Sequence, residues 1–300
     1  MKRLLIFIPV LLIGVSAIYF SERRHDSTPV SANSIVEVAA DAQRDLTRLP
    51  MRLTRLSDQE EIAIGKELAE RYPINSENLT AEGSALDAYV GRVGRALAAH
   101  AHRHLPYSFH LIPNRSMMNA FSLPGGPVYV GEGLLDQMTS EDELAAVIGH
   151  EIEHIDHYHC AERVQVEARL RNLKLDIVGV LVQIPLSVWE AGYNKDEELE
   201  ADREGMRLEV QEGYSPYGAV TLFEKFAKLN KEYIIHAQSP EDELSQLAIQ
   251  SLEGYFRSHP QTSERLAQAN AVIAHEGWET RKSQKPFRVE YEVHNGQFVK

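Results

Sequence analysis

The sequence predicts an α+β fold that is mostly helical and contains a small β-sheet. Apolar residues recur at helical spacing in several long segments, whereas the alternation typical of strands is confined to short ones. Two Ser-x-x-Glu pairs, Ser57 with Glu60 and Ser140 with Glu143, have the pattern of a capping box at a helix start. The 300 residues, of which 43% are hydrophobic, suit one large domain or two small ones with a packed core.

The first 20 residues predict a signal peptide or an N-terminal anchor. The basic pair Lys2-Arg3 precedes the uncharged stretch 4–20, which is the usual order in a secretory signal. Val15-Ser16-Ala17 fits a cleavage site, while a stretch of about 17 residues is also just long enough to remain as a membrane anchor. In either case we expect the rest of the chain to be exported, and an uncleaved anchor would keep the N-terminus associated with the membrane.

The remaining elements follow in order along the chain. Residues 21–56 predict a polar linker followed by one helix, at 36–49. Further helices are predicted at 57–72, 86–100, from Ser140 through the histidine-rich segment, and at about 196–211, 216–230, 241–256 and 262–276. Strands are predicted at 107–114, at 125–130, and in a C-terminal β tail, 277–300, around an Asn-Gly turn. The apolar stretch 176–192 contains Pro185, which favours a buried helix pair or a lid over a membrane span.

Composition excludes some classes of function. The formal net charge of −13 argues against a nucleic-acid partner, because phosphate binding requires clustered Lys and Arg. The single cysteine, Cys160, excludes an intramolecular disulfide, so the fold must rely on its core or on a metal. A run of histidines at 100–104 has no carboxylates beside it, which favours a solvated loop over an accessory metal site.

Residues 150–154 have the sequence HExxH on a predicted amphipathic helix. Residues four apart share one helix face at a separation of about 6 Å, so His150 and His154 can bind one zinc ion. Glu151 lies close enough to reach a water on that metal without being a ligand, and a carboxylate there can accept the water's proton. The alternative is a chance match in a chain rich in His and Glu.

A catalytic zinc site needs a third protein ligand and leaves its fourth position for water. Downstream, Glu198 and Asp202 stand four residues apart, so one can bind zinc while the other holds a ligand histidine by its free ring nitrogen. Spacing does not choose among Glu197, Glu198 and Glu200. A solvated acidic helix is the alternative interpretation of this segment.

Together these motifs resemble the HtpX and CAAX-prenyl-protease family of zinc metallopeptidases. HEIEH is followed by ELEAD, which matches the pattern E-x-E-A-D. Residues 119–135 are similar to the family's strand-and-turn signature, with Ser122 where Ala is usual, and 258–265 resemble its late H-P-x-x-x-x-R element. The resemblance also covers the opening helix and runs from 57 to 274. It is closest to the soluble, periplasmic BepA-like branch, without the tetratricopeptide repeats of BepA.

The resemblance implies a zincin-like (gluzincin) metallopeptidase domain over 57–276 that binds one Zn²⁺ per chain. It implies His150, His154 and Glu198 as ligands, with Asp202 supporting a ligand histidine, and places His157 and His159 outside the ligand set. For His259 it leaves three roles open: stabilising the oxyanion, occupying the fourth zinc position in a self-inhibited state, or capping the helix near 262. It implies that Arg265 pairs with a carboxylate near the site, and the alternative is a surface salt bridge.

The strand-and-turn segment is predicted to bind substrate. An exposed edge strand beside the metal can accept an extended peptide through main-chain hydrogen bonds. The predicted substrate-binding residues are Asn119, Ala120, Phe121, Ser122, Gly125 and Gly126. A plain hairpin turn explains the two glycines equally simply.

The function implied is a zinc endopeptidase that cleaves unfolded or misassembled polypeptides in the periplasm. The first alternative is a chaperone-like assembly factor of the same fold, which binds exposed strands and has a self-inhibited or rarely used protease site. The second alternative is a secreted metal-storage or structural protein.

Overall fold

A computed structural model of the protein describes residues 56–70, 79–170, 193–236, 259 and 263–287. Several predicted segments lie outside these residues. They are the N-terminal segment 1–20, the linker and helix before 56, the apolar stretch 176–192, the helix at 241–256 and the strands beyond 287. None of the described helices is both long and apolar enough to cross a membrane.

The described residues form eight helices and three strands, which confirms the mostly helical prediction. They are α1 Asp58–Ala69, α2 Ala81–Ala98, β1 Ser108–Ile112, β2 Ala120–Ser122, β3 Pro127–Gly131, α3 Glu132–Leu135, α4 Glu141–Asp156, α5 His159–Leu170, α6 Lys195–Gln211, α7 Tyr217–His236 and α8 Ser263–His275. The sequence did not predict α3 or α5, and α2 begins five residues before its predicted start because Thr80 caps it through Gly83.

The three described strands form a small mixed sheet in the order β1-β3-β2. The central strand β3 pairs in parallel with β1 and antiparallel with β2. Among these strands β2 therefore lies at one edge, and it packs against α4. Its three residues, Ala120, Phe121 and Ser122, are all buried, which differs from the exposed edge strand that the sequence predicted.

The histidine-bearing helix α4 is buried along its whole length. Its neighbours are α2, α6, α7 and β2, so the carboxylates and imidazoles on it are carried into the core. Only half of the predicted capping box forms at its start. Ser140 accepts a hydrogen bond from the Glu143 backbone, but the Glu143 carboxylate accepts from the backbone of Thr139 and from Lys225. At α1, by contrast, the box of Ser57 and Glu60 is complete.

Two glycines allow α4 and α6 to cross closely. A Cβ on Gly205 would lie 2.9 Å from the backbone N of His150, and one on Gly149 would lie 3.1 Å from the carbonyl O of Gly205. Ala201 is also fully buried in α6. This close approach brings the carboxylates of α6 to the histidines of α4.

Candidate metal centre

Four buried side chains from separate parts of the chain converge on one point. His150 and His154 come from α4, Glu198 comes from α6, and His259 precedes α8. One potential ligand atom from each lies within 4.8 Å of all the others. We call these four residues the metal cluster.

Five distances within the metal cluster are close to those between ligand atoms of a single zinc ion. The Nε2 atoms of His150 and His154 are 3.0 Å apart, and His150 Nε2 is 3.2 Å from Nδ1 of His259. Glu198 oxygens lie 3.5 Å from both Nε2 atoms and 3.2 Å from His259 Nδ1. Tetrahedral zinc with bonds near 2.0–2.1 Å places its ligand atoms roughly 3.3 Å apart. The donor set of imidazoles and a carboxylate is also one that zinc prefers.

Asp202 fixes the tautomer of His150. Its Oδ1 lies 2.8 Å from His150 Nδ1, and because a carboxylate can only accept, that nitrogen carries the proton. Nε2 of His150 therefore presents its lone pair to the cluster. Arg265 in turn donates two hydrogen bonds to Asp202, at 2.7 and 2.6 Å, and its third nitrogen lies 3.2 Å from Glu198. Arg265 is 4% exposed, so this arrangement is a buried ion network and not a surface salt bridge.

A second chain of contacts fixes the tautomer of His154. Glu200 Oε2 lies 3.3 Å from Nε2 of His159, which must then donate. In neutral His159, Nδ1 is the acceptor, and it lies 2.9 Å from Nδ1 of His154. His154 therefore donates from Nδ1 and presents the lone pair of Nε2 to the cluster. The ring of Tyr193 stacks on His154 with centroids 3.8 Å apart and holds its plane.

The contact of His159 with His154 depends on an unusual residue between α4 and α5. Tyr158 adopts a left-handed backbone conformation with φ of 64°, the one non-glycine residue with positive φ among the described residues. This breaks the helix after the HExxH motif and allows α5 to begin at His159. The guanidinium of Arg103 lies 3.7 Å above the Tyr158 ring and covers the turn.

The protonation states of the cluster also favour a metal. Burial holds the pKa of His154 well below its ordinary value, so its ring is neutral. Burial raises the pKa of Glu198, but His259 and Arg265 outweigh it and hold that pKa well below its usual range. Burial lowers the pKa of His259, whereas the Glu198 carboxylate raises it above its ordinary value. The cluster thus attracts positive charge, which a metal ion supplies.

Glu151 lies beside the metal cluster without belonging to it. Its side chain is buried, and its Oε2 accepts a 2.8 Å hydrogen bond from Ser122 Oγ. Its other oxygen, Oε1, lies 3.3 Å from Nε2 of His259. One carboxylate oxygen is therefore held by β2, and the other faces the cluster.

His259 spans the space between the cluster and the edge strand. Its Nδ1 faces His150 and Glu198, while its Nε2 lies 3.3 Å from the carbonyl O of Ala120. Because that carbonyl only accepts, Nε2 carries a proton and Nδ1 can offer a lone pair to a metal. Of the three roles open for His259, this geometry is compatible with ligation at the fourth position.

The other predicted substrate-binding residues lie around β2 and its turn. The carbonyl O of Asn119 accepts from the backbone of Gly131, and Phe121 stacks on Tyr129 with centroids 5.0 Å apart. Gly125 and Gly126 have φ of 78° and 136°, and a Cβ on them would lie 2.5 and 2.6 Å from the backbone at Ile62 and Pro106. Tight packing of the turn explains these glycines, and their role in substrate binding stays a prediction.

Four residues of the site were not recognised from the sequence in their observed roles. The substrate contact predicted for Ser122 stays a prediction, and the structure adds that its hydroxyl donates to Glu151. Tyr193, Glu200 and Glu209 contact the histidines or line the adjacent pocket. The family histidine spacing pointed to His159, whereas no sequence signal distinguishes Tyr193 or Glu209.

The fold and the cluster define a class of protein. A buried helix with the sequence HExxH faces a carboxylate on a neighbouring helix, and a further carboxylate, Glu151, lies beside the donors. This arrangement is typical of metallopeptidases that use one catalytic zinc.

Comparison with known proteins gives the family. The sequence profile of the family described as Peptidase family M48 matches residues 84–273, more than half of the chain. The chain belongs to peptidase family M48, and the metallopeptidase family predicted from the motifs is confirmed.

Curated relatives agree with this assignment. The chain is 31% identical over 173 residues to the mitochondrial metalloendopeptidase OMA1 of Arabidopsis thaliana, across 54% of this chain and 31% of that protein. It is 31% identical over 160 residues to the beta-barrel assembly-enhancing protease of Escherichia coli (strain K12), across 47% and 32% of the two. It is 35% identical over 125 residues to the metalloprotease LoiP of the same strain, across 38% and 49%. The chain thus spans about a third to a half of the length of these relatives.

Proposed function

We propose that the protein is a zinc-dependent endopeptidase that cleaves unfolded or misassembled polypeptides in the cell envelope. The observation that carries this proposal is the position of Glu151, whose carboxylate lies beside a cluster of three or four zinc-type ligands. In this proposal the domain is gluzincin-like, with His150, His154 and Glu198 holding one Zn²⁺. The predicted signal or anchor at 1–20 supports an exported, periplasmic location.

The chain's own residues suit peptide hydrolysis. When bound, zinc supplies Lewis acidity that polarises the scissile carbonyl and lowers the pKa of water. Glu151 takes the proton of the attacking water and passes it to the leaving amine. Ser122 holds one oxygen of Glu151, so that the other is aimed at the reacting groups. Main-chain groups of β2, beside the cluster, are the proposed hydrogen-bond partners of an extended substrate.

Metal removal tests the proposal. We expect the zinc-loaded full-length protein to cleave casein, an unfolded protein, and to lose this activity after chelation, because Glu151 has no activated water to deprotonate without the metal. Adding back one equivalent of zinc should restore cleavage, and Mg²⁺, which prefers oxygen ligands, should not. Gel electrophoresis of the products checks this result. Cleavage that survives complete chelation would contradict a zinc mechanism.

The strand-binding assembly factor is the second candidate, and the position of His259 favours it. His259 reaches the cluster with Nδ1 and the carbonyl of Ala120 with Nε2, so it occupies the space between the cluster and the edge strand. The three residues of β2 are buried. A substrate strand would have to displace His259, which is the behaviour of a self-inhibited protease.

We expect His259→Ala to raise the rate of casein cleavage. If the open state is about one tenth of the population, removing the ring raises the rate about tenfold. The exposed His275, in α8, provides the control, because His275→Ala should leave the rate unchanged. A lower rate for His259→Ala with zinc still bound would instead assign His259 to oxyanion stabilisation. If neither variant nor the wild type cuts while all bind unfolded chains, the assembly factor is favoured.

A further inference from the structure

A pocket opens directly beside the metal cluster, between α4, α6 and α7. His150 and Glu151 form one side of it, so a group that enters it belongs to a residue next to the cleaved bond. The space between these residues is about 370 Å³ when the solvent at its open mouth is counted, and its enclosed part has room for about one water, so a larger group has to widen it. Most of its wall is apolar and comes from Val147 of α4 and from Leu222 and Phe223 of α7.

One carboxyl group lines this apolar pocket without a compensating partner. Glu209 of α6 is 1% exposed, and its Oε2 is buried with no hydrogen-bond partner among the described residues. Nearby carboxylates differ in this respect. Asp142 accepts from the backbone of Ser215 at 2.6 Å, Asp202 accepts from Arg265, and Glu151 accepts from Ser122.

The cationic side chain in the described pocket lining pairs with carboxylates other than Glu209. Arg265 is the one cationic residue among the described lining residues, and its nitrogens are directed to Asp202 and Glu198. Burial, with the negative charges of Asp142 and Asp202 as smaller causes, raises the pKa of Glu209 well above its ordinary value. The pocket therefore has an excess of acidic groups that a cation from outside would relieve.

An unpartnered buried carboxyl destabilises the fold, because its lost hydration is not replaced by hydrogen bonds. Its neighbours on α6, Met206 and Leu208, are apolar and buried, so an apolar residue at 209 would suit the core better. A costly polar group that lines a pocket beside a reactive centre is a candidate for ligand recognition.

We infer that this pocket binds a cationic side chain with an aliphatic stem, such as lysine, from the substrate residue that flanks the cleaved bond. The stem would lie along Val147, Leu222 and Phe223, and the ammonium would meet Glu209, which matches the amphipathic character of lysine. This inference rests on the proposed endopeptidase function and adds a substrate preference to it.

Matched peptides test the preference. The sites at which the zinc-loaded enzyme cuts casein are first located by mass spectrometry, and peptides around the best site are made with lysine or norleucine at each flanking position. Norleucine keeps the aliphatic stem and removes the charge. At one flanking position we expect kcat/KM to be about 10- to 100-fold higher for lysine, the range for a hydrogen bond to a charged group.

Variants at Glu209 identify the cause. Glu209→Leu should abolish the preference for lysine over norleucine, and Glu209→Gln should weaken it. Glu212, which follows α6 and pairs with His100, supplies the control, because Glu212→Gln should keep the wild-type ratio. Glu209→Leu removes an unpaired buried carboxyl, so its melting temperature should be no lower than that of the wild type. Equal rates for the two peptides, or a preference that survives in folded Glu209→Leu, would overturn the inference.

Binding separates this inference from the proposed function. Dissociation constants of the two peptides are measured on zinc-loaded Glu151→Gln, which binds without cutting, and on the double variant with Glu209→Leu. Tighter binding of the lysine peptide that depends on Glu209 supports the pocket even if no variant hydrolyses peptides. Equal binding of both peptides overturns it, whatever the catalytic result.

Discussion

Replacing Glu151 with glutamine is expected to lower kcat for casein or peptide cleavage by about 10²- to 10⁴-fold, the usual contribution of a general base. The amide cannot accept the proton of the attacking water, yet it keeps the size of the side chain and can still accept a hydrogen bond from Ser122. Because Glu151 is not part of the metal cluster, the zinc content should remain one per chain. Steady-state kinetics and elemental analysis on the same preparation check both results.

Glu153 provides the matched control for this prediction. It lies on the same turn of α4, is equally buried, and its carboxylate is 3.1 Å from His157, which is outside the cluster. Glu153→Gln should therefore retain most of the activity. If Glu151→Gln cleaves casein at the wild-type rate, the general-base role is wrong and the proposed hydrolase fails. If both variants lose activity and zinc together, the effect is structural.

The sequence predicted those parts of the site that depend on local geometry. The HExxH residues share a helix face because they are four apart, and that helix exists because the apolar residues around it repeat at helical spacing. The same reasoning could not identify the third ligand among Glu197, Glu198 and Glu200. In the structure Glu198 faces the cluster, Glu197 accepts from the backbone of Asn194 at the start of α6, and Glu200 pairs with His159. Each of the three glutamates has its own partner, and only tertiary contacts distinguish them.

Other features depended on contacts that local patterns do not encode. The donation from Ser122 to Glu151 requires β2 to lie beside α4, and the start of α5 requires Tyr158 in a left-handed conformation. The half-formed capping box at Ser140 has a similar cause, because Lys225 of α7 pairs with the glutamate that would complete it. Long-range pairing of this kind overrides a correct local signal.

Arg265 contacts both Glu198 of the metal cluster and Asp202, which holds His150. Of the substitutions considered, loss of Arg265 is expected to have the largest effect on stability. Its guanidinium makes two hydrogen bonds to Asp202 and lies 3.2 Å from Glu198, and all three side chains are buried. Arg265→Gln leaves two buried carboxylates without their cation, which typically costs about 3–5 kcal/mol. Thermal and denaturant unfolding of the zinc-loaded protein measure this loss.

Zinc changes the expected size of this effect and so tests its cause. A bound metal compensates Glu198 directly, whereas after chelation its compensation depends on Arg265 and on the histidines around it. Arg265→Gln should therefore destabilise the metal-free protein more than the zinc-loaded protein, and by thermodynamic linkage it should make the stabilisation by added zinc larger. Arg207→Gln breaks partly exposed pairs of α6 with Glu204 and Glu276 and should change stability much less in either state. An equal and small effect of both substitutions would show that the Arg265 network does not stabilise the site, because a buried charge left without its partner cannot be neutral in cost while the carboxylates stay ionised.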